Sequence, residues 1–210
     1  MNAIKLAVAG SLLAACAAAG AADFAMMETA ERINQGTFKL SGFPVVIDRA
    51  DADAERGFAV GLGYGLRYGM DVEGHVARYE EGTFTGADLE WNAWRRGPMA
   101  LSIGSGLHGA DLDGGGTLLG TGGTAIFSYS PLSRLTLSAA LDAAYDDVNN
   151  RDNAPAGSRF PTDGQYERYY AVQGVGYRLT RNVELMGEAG FGLNGESDDY
   201  VSGGMSWYFR

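Results

Sequence analysis

The chain has 210 residues, 46% of them hydrophobic, and its 32 glycines are roughly twice the usual share, which suits one β-rich domain better than a helical one. A formal charge of -10 excludes a nucleic-acid binder, whose phosphates demand clustered Lys and Arg, and disfavours anionic lipid head groups unless a basic patch is hidden in the fold. After Gly20 no apolar run approaches the 18 or so residues of a spanning helix, so any membrane crossing falls to strands.

Residues 1–22 read as a secretory signal, with Lys5 as the positive region, an apolar centre over 6–15 and a small-residue run before Asp23. The single cysteine, Cys16, lies within it, so the exported chain carries no disulfide framework. Leu13-Ala14-Ala15-Cys16 also resembles a bacterial lipobox, which makes Cys16 the one candidate for lipidation. An incidental cysteine in an Ala-rich signal is preferred, because a barrel already held in a membrane gains little from an acyl chain.

Residues 23–36 carry Met26, Met27, Ala30 and Ile33 at rough helical spacing beside Glu28, Glu31 and Arg32. They fit a periplasmic leader, either a short amphipathic helix or flexible chain, with a plug in the lumen as the alternative. From Thr37 the pattern changes to alternation. Phe58, Val60, Leu62, Tyr64, Leu66 and Tyr68 share one face, and Ala59, Gly61, Gly63, Gly65 and Arg67 the other. The same two-faced pattern recurs over 72–80, 84–95, 99–108, 117–130, 135–147, 166–179, 183–194 and 199–209. These lengths approach the 9 to 11 or so residues of a tilted membrane-crossing strand, where a soluble sandwich manages with five or six.

Tight turns at 69–71, 95–98, 130–134 and 180–182 alternate with longer polar connections at 109–116 and 148–165, so the turns assign a periplasmic and an outer side. In the last strand Val201, Gly203, Met205, Trp207 and Phe209 oppose Ser202, Gly204, Ser206 and Tyr208. It resembles the terminal strand of a bacterial outer-membrane β-barrel, whose final aromatic belongs to the signal read by the barrel assembly machinery, although Arg210 follows that aromatic here. With the turns and alternation, residues 37–210 are similar to the small outer-membrane barrels of the porin-like, OmpA-like and opacity-protein group. The resemblance implies a closed, all-β, antiparallel up-and-down transmembrane barrel in the outer membrane of a Gram-negative envelope, surrounded by lipid. Nine strands are clear; an even count asks for a tenth, supplied by 37–47 with Pro44 as a tolerated defect, and residues 48–56 become an outer loop. The expectation is ten strands, with eight as the alternative.

Two aromatic belts follow from that strand count. The periplasmic one takes Tyr64, Tyr68, Trp91, Trp94, Phe127, Tyr129, Tyr177, Trp207 and Phe209, and the outer one Phe58, Tyr79, Phe84, Tyr145, Tyr166, Tyr169, Tyr170 and Tyr200. The opposite face carries Lys39, Arg67, Glu73, His75, Asp88, Glu90, Asn92, Asp142, Arg168, Arg178, Glu184 and Glu188. Facing lipid, an Arg or Lys near the midplane costs about 2–4 kcal/mol, so these charges are expected in the lumen, where mixed signs make a filling of ion pairs. Inward glycines leave room for long side chains or a water column.

No catalytic constellation emerges. His75 sits mid-strand as a packed lumen residue, and neither histidine has the neighbouring serine that marks outer-membrane lipid A deacylases. His108, Asp111, Asp113, Asp146 and Asp147 distantly resemble the outer-rim dyad of omptin-type proteases, without the Asp-x-His spacing. The acidic run at 111–116 lacks the spaced ligands of a calcium loop, and Asp51 and Asp53 read as a solvated loop, so neither a metal nor a cofactor is implied. The expected function is a structural or surface-interaction barrel, contacting its partners through outer loops at 48–56, 109–116 and 148–165. Alternatives are a narrow porin-like channel for small solutes, a barrel enzyme acting on lipid A or peptides, and a soluble β-barrel lipoprotein.

Overall fold

A computed structural model describes residues 29–49, 53–149, 158, 160 and 163–210. The signal segment, Cys16, Asp51 and most of the loop at 148–165 lie outside the described residues.

Among the described residues ten strands follow one another without a helix between them: β1 (Phe38–Asp48), β2 (Glu55–Gly65), β3 (Met70–Tyr79), β4 (Gly82–Arg96), β5 (Met99–Leu112), β6 (Thr117–Leu132), β7 (Leu135–Asn149), β8 (Gly164–Arg178), β9 (Val183–Gly192) and β10 (Asp199–Phe209). Each pairs antiparallel with its sequence neighbours, and β1 closes the ring on β10 from Phe38↔Phe209 to Asp48↔Asp199. Ten strands rather than eight form the barrel. The strand predicted from parity is β1; Pro44 interrupts the ladder to β10 only locally, and the register is the same on either side of it.

Outward side chains such as Val60, Leu62, Leu107, Leu119 and Leu141 are 41–69% exposed, whereas their neighbours Ala59, His108, Leu118 and Ile126 on the opposite face are buried. A soluble protein does not expose a continuous apolar band round its circumference, and lipid is the solvent that would cover it. Two irregularities keep this partition. Trp91 and Trp94 differ by three positions, which strict alternation would put on opposite faces, but a bulge between Asn92 and Trp94 restores both to the outside. In the β2–β3 turn Tyr68 (φ 62) and Gly69 (φ 77) take left-handed conformations, which ends β2 at Gly65.

The chain enters β1 and leaves β10 at the end carrying the tight turns, the end that faces the periplasm in barrels of the outer membrane. Of the segment at 23–36, expected as a leader or a plug, residues 23–28 lie outside the described residues; residues 29–36 form neither strand nor helix, with Ala30 and Ile33 buried at that end of the barrel and Arg32, Asn34 and Gln35 exposed.

Candidate functional site: the barrel lumen

The lumen is filled in three layers, the first two set by the parity of the strands and the third by a segment that precedes them. The outer half is apolar. Phe43, Val45 and Ile47 from β1, Tyr79 from β3, Phe84 from β4, Leu112 and Leu118 from β5 and β6, and Tyr166, Tyr170 and Tyr200 form one buried cluster. Phe160, from the long loop, packs on Phe84 at 5.6 Å and on Tyr166 at 5.9 Å between ring centroids. Above it Glu81 receives Arg49 at 2.9 Å and the hydroxyl of Ser158 at 2.6 Å, while the backbone N–H of Glu81 donates to Glu55. Loop residues are thereby tied into the mouth.

The lumen is therefore filled by ion pairs only in part. Five members of the expected outer belt, Tyr79, Phe84, Tyr166, Tyr170 and Tyr200, point inward and make this core, because their parity matches the lumen face although their height matches the interface. Phe58, Tyr145 and Tyr169 remain outside.

The middle layer is polar. Arg168 donates through Nε to Asp146 Oδ2 at 2.7 Å, and His108 Nε2 meets Asp146 Oδ1; all three residues are at most 3% exposed. A Cβ at Gly120 would collide with both Asp146 and His108, so a residue without a side chain is what admits the pair. His75 Nδ1 lies 3.2 Å from Asp88, and Thr124 donates to Asp142. His108 and Asp146 do come together, but both are buried on the lumen side of their strands. Asp111 faces outward, and Asp113 pairs with Arg78 at 2.6 Å on the exterior, so no rim dyad forms. β5 runs on to Leu112, four residues past His108, and that extension takes the histidine off the rim.

The third layer is the chain itself. The Ala30 N–H donates to Ser128 at 2.8 Å, Asn92 donates to the Ala30 carbonyl at 2.7 Å, and the Ile33 N–H donates to Asp71 at 3.1 Å. Glu31 accepts from Ser130 and Thr136 and pairs with Arg178 at 3.2 Å. Beside this segment Lys39 pairs with Glu73 at 2.5 Å, and Tyr208 donates to Glu184 at 3.0 Å. Two cavities of about 290 Å³ and 550 Å³ remain at the periplasmic mouth, but the space around Lys39, Asp71, Glu73 and Glu90 narrows to about 30 Å³, the room of a single water.

The charged positions named from sequence thus lie as follows. Lys39, Glu73, His75, Asp88, Glu90, Asp142, Arg168, Arg178, Glu184 and Glu188 are on the lumen side of their strands, while Arg67 is exposed in the β2–β3 turn. Tyr64, Trp91, Tyr129, Tyr177, Trp207 and Phe209 lie on the outer wall near the turn end, and Tyr68 is 89% exposed in its turn. Glu55, Asp71, Glu81, Ser158 and Phe160 were not singled out by sequence. Asp71 had a signal in the lumen parity it shares with Glu73; the loop residues had none, because their contacts are set by where a long loop folds back.

No family model and no curated protein matches this sequence. Among solved structures the chain is similar to an outer membrane channel from Pseudomonas putida F1, with 10% identity, a TM-score of 0.52 and coverage of 89% of this chain and all of that one. It is also similar to the KdgM porin, with 10% identity, a TM-score of 0.50 and coverage of 82% and 99%. Against a loop-deletion form of OmpT, an outer membrane protein of Vibrio cholerae, it has 11% identity and a TM-score of 0.40, covers 80% of itself and spans 59% of that protein's length. At such identities the likeness shows the fold, that of the bacterial outer-membrane β-barrels.

Proposed function

We propose that this chain is an outer-membrane barrel with a shut lumen, whose role is structural or one of surface interaction through its outer loops. The observation that carries the reading is the continuous filling of the bore, from the Phe84–Phe160–Tyr166 cluster, through the Arg168–Asp146–His108 group, to the segment at 29–33. Export would be directed by residues 1–22, and delivery to the assembly machinery by the terminal strand with Trp207 and Phe209 on its lipid face. No catalytic step is assigned, because His108 is 3% exposed and Asp146 fully buried, beyond the reach of lipid or peptide.

A narrow channel for small solutes is the second reading. It is favoured by the wet periplasmic half, where the cavities meet Arg178, Glu31 and Glu184. Single-channel recording in a planar bilayer separates the two: the closed reading expects a flat trace, and reproducible openings that shift on Arg178→Ala or Glu188→Ala would sink it.

A further inference from the structure

The net charge of the chain conceals a sharp segregation. Among the described residues every exposed acidic side chain lies at the loop end, Asp48, Glu80, Asp113, Glu167 and Glu196 being examples. At the turn end the carboxylates Glu31, Asp71 and Glu184 turn inward and are held by Arg178, the Ile33 N–H and Tyr208. The exposed charge there is arginine: Arg67 in the β2–β3 turn, Arg95 and Arg96 at the tip of β4, and Arg134 in the β6–β7 turn. A membrane-spanning barrel holds its two ends about 25 Å apart, some three Debye lengths at physiological salt, so the acidic end does not decide what the basic end attracts.

Four more arginines line one cavity, Arg32 reaching it from beside Gly69 in the β2–β3 turn. The 550 Å³ space at the mouth is lined by Arg32, Arg178, Arg181 and Arg210 against a single acidic side chain, Glu31, which Arg178 already engages. Arg210 donates to Thr37 at 3.2 Å, and Arg32 and Arg181 make no ion pair among the described residues. The cavity also reaches the outer wall, because Phe209 lines it and at the same time stacks on Phe38 at 5.6 Å and meets Trp207 at a tilt at 5.3 Å in the outward-facing aromatic cluster.

We propose that this mouth is a binding site for the phosphate head group of an anionic phospholipid of the periplasmic leaflet. The phosphate would sit among Arg32, Arg181 and Arg210, whose planar guanidinium forks match phosphate oxygens. The acyl chains would lie along Trp207, Phe209 and Phe38. A soluble anion would use the arginines but gain nothing from the adjoining aromatic wall, and that difference selects the lipid. The inference rests on the membrane placement proposed above and not on closure of the lumen.

The test is native mass spectrometry of the full mature barrel, released from detergent with equal amounts of phosphatidylglycerol and phosphatidylcholine of the same chain length. One phosphatidylglycerol per barrel is expected to be retained in preference. Arg32→Gln with Arg181→Gln should weaken retention about fivefold for each arginine removed, roughly 25-fold together. Both variants keep the fold if their heat-dependent gel mobility matches that of the parent. Equal retention of the two lipids, or no change in the double variant, overturns the proposal. Displacement of the lipid by millimolar inorganic phosphate also overturns it and assigns the site to soluble anions. A barrel that conducts yet retains the lipid contradicts only the closed lumen. A protein that stays in solution without detergent fails the membrane placement first.

Discussion

Replacing Asp146 by alanine is the most direct test of the polar middle layer. Asp146 has no exposed surface and sits between two cations or potential cations, Arg168 at 2.7 Å and His108, which are 1% and 3% exposed. A guanidinium cannot shed its proton, so the variant withdraws the carboxylate facing a charge that water does not reach. Removing one partner of such a pair costs about 3–5 kcal/mol, whereas replacing both by apolar groups of similar volume is close to neutral. With a urea slope of about 2 kcal/mol per M, Asp146→Ala should lower the unfolding midpoint by about 2 M in liposomes, followed by tryptophan fluorescence. Asp146→Ala combined with Arg168→Met should recover most of that loss. A single variant costing under about 1 kcal/mol, or a double variant no better than the single, would refute a sealed lumen in which charge is held by pairing.

Two further outcomes test the outer wall and the inserted segment. Val60, mid-way along β2 and 41% exposed, should tolerate arginine in a soluble barrel but lose about 2–4 kcal/mol of stability in a bilayer, so Val60→Arg read by urea unfolding in liposomes reports whether lipid covers this face. Asn92→Ala with Ser128→Ala removes two hydrogen bonds that hold Ala30, at about 1 kcal/mol each, and tryptic cleavage after Arg32 should accelerate by roughly 30-fold. An unchanged cleavage rate would mean that the segment is held by something other than these bonds.

The barrel itself was legible because one physical rule, alternation against lipid, acts on every strand at once. Val60, Leu62 and Met205 declared the outside and Gly61, Ser202 and Ser206 the inside, and the parity of the chain ends supplied β1 before any contact was known. The failures occurred where a second rule competed or where a contact joins residues distant in sequence. Arg67 follows the alternation of β2 on paper, but the left-handed turn at Tyr68 and Gly69 ends the strand first. Tyr79 and Phe84 obey the belt rule for height and break it for face, a conflict that only parity resolves, and parity places both inside. The His108–Asp146 contact joins β5 to β7 across β6 at Gly120, a three-strand relation that no local spacing displays. The insertion of residues 29–33 depends on Ser128 and Asn92, each distant in sequence, and their side chains advertise no partner in advance.

Charged residues inside a barrel are the usual mark of an aqueous path, yet here they lie behind an apolar stopper, and the energetics favour the stopper. Tyr79, Phe84 and Phe160 are each at most 3% exposed, and opening the outer half to water would rewet all three rings. At about 1.5–3 kcal/mol per ring that is about 5–9 kcal/mol, enough to hold a wetted bore below roughly one molecule in a thousand. Beneath that cluster Arg168, Asp146 and His108 are bound to one another and Asp142 is held by the Thr124 hydroxyl, since a charge out of reach of water has only a neighbour to satisfy it. In a barrel so closed, water and ligands would meet it only at its two rims, and the exposed carboxylate side chains at one and the exposed arginines at the other are what it would offer to a partner.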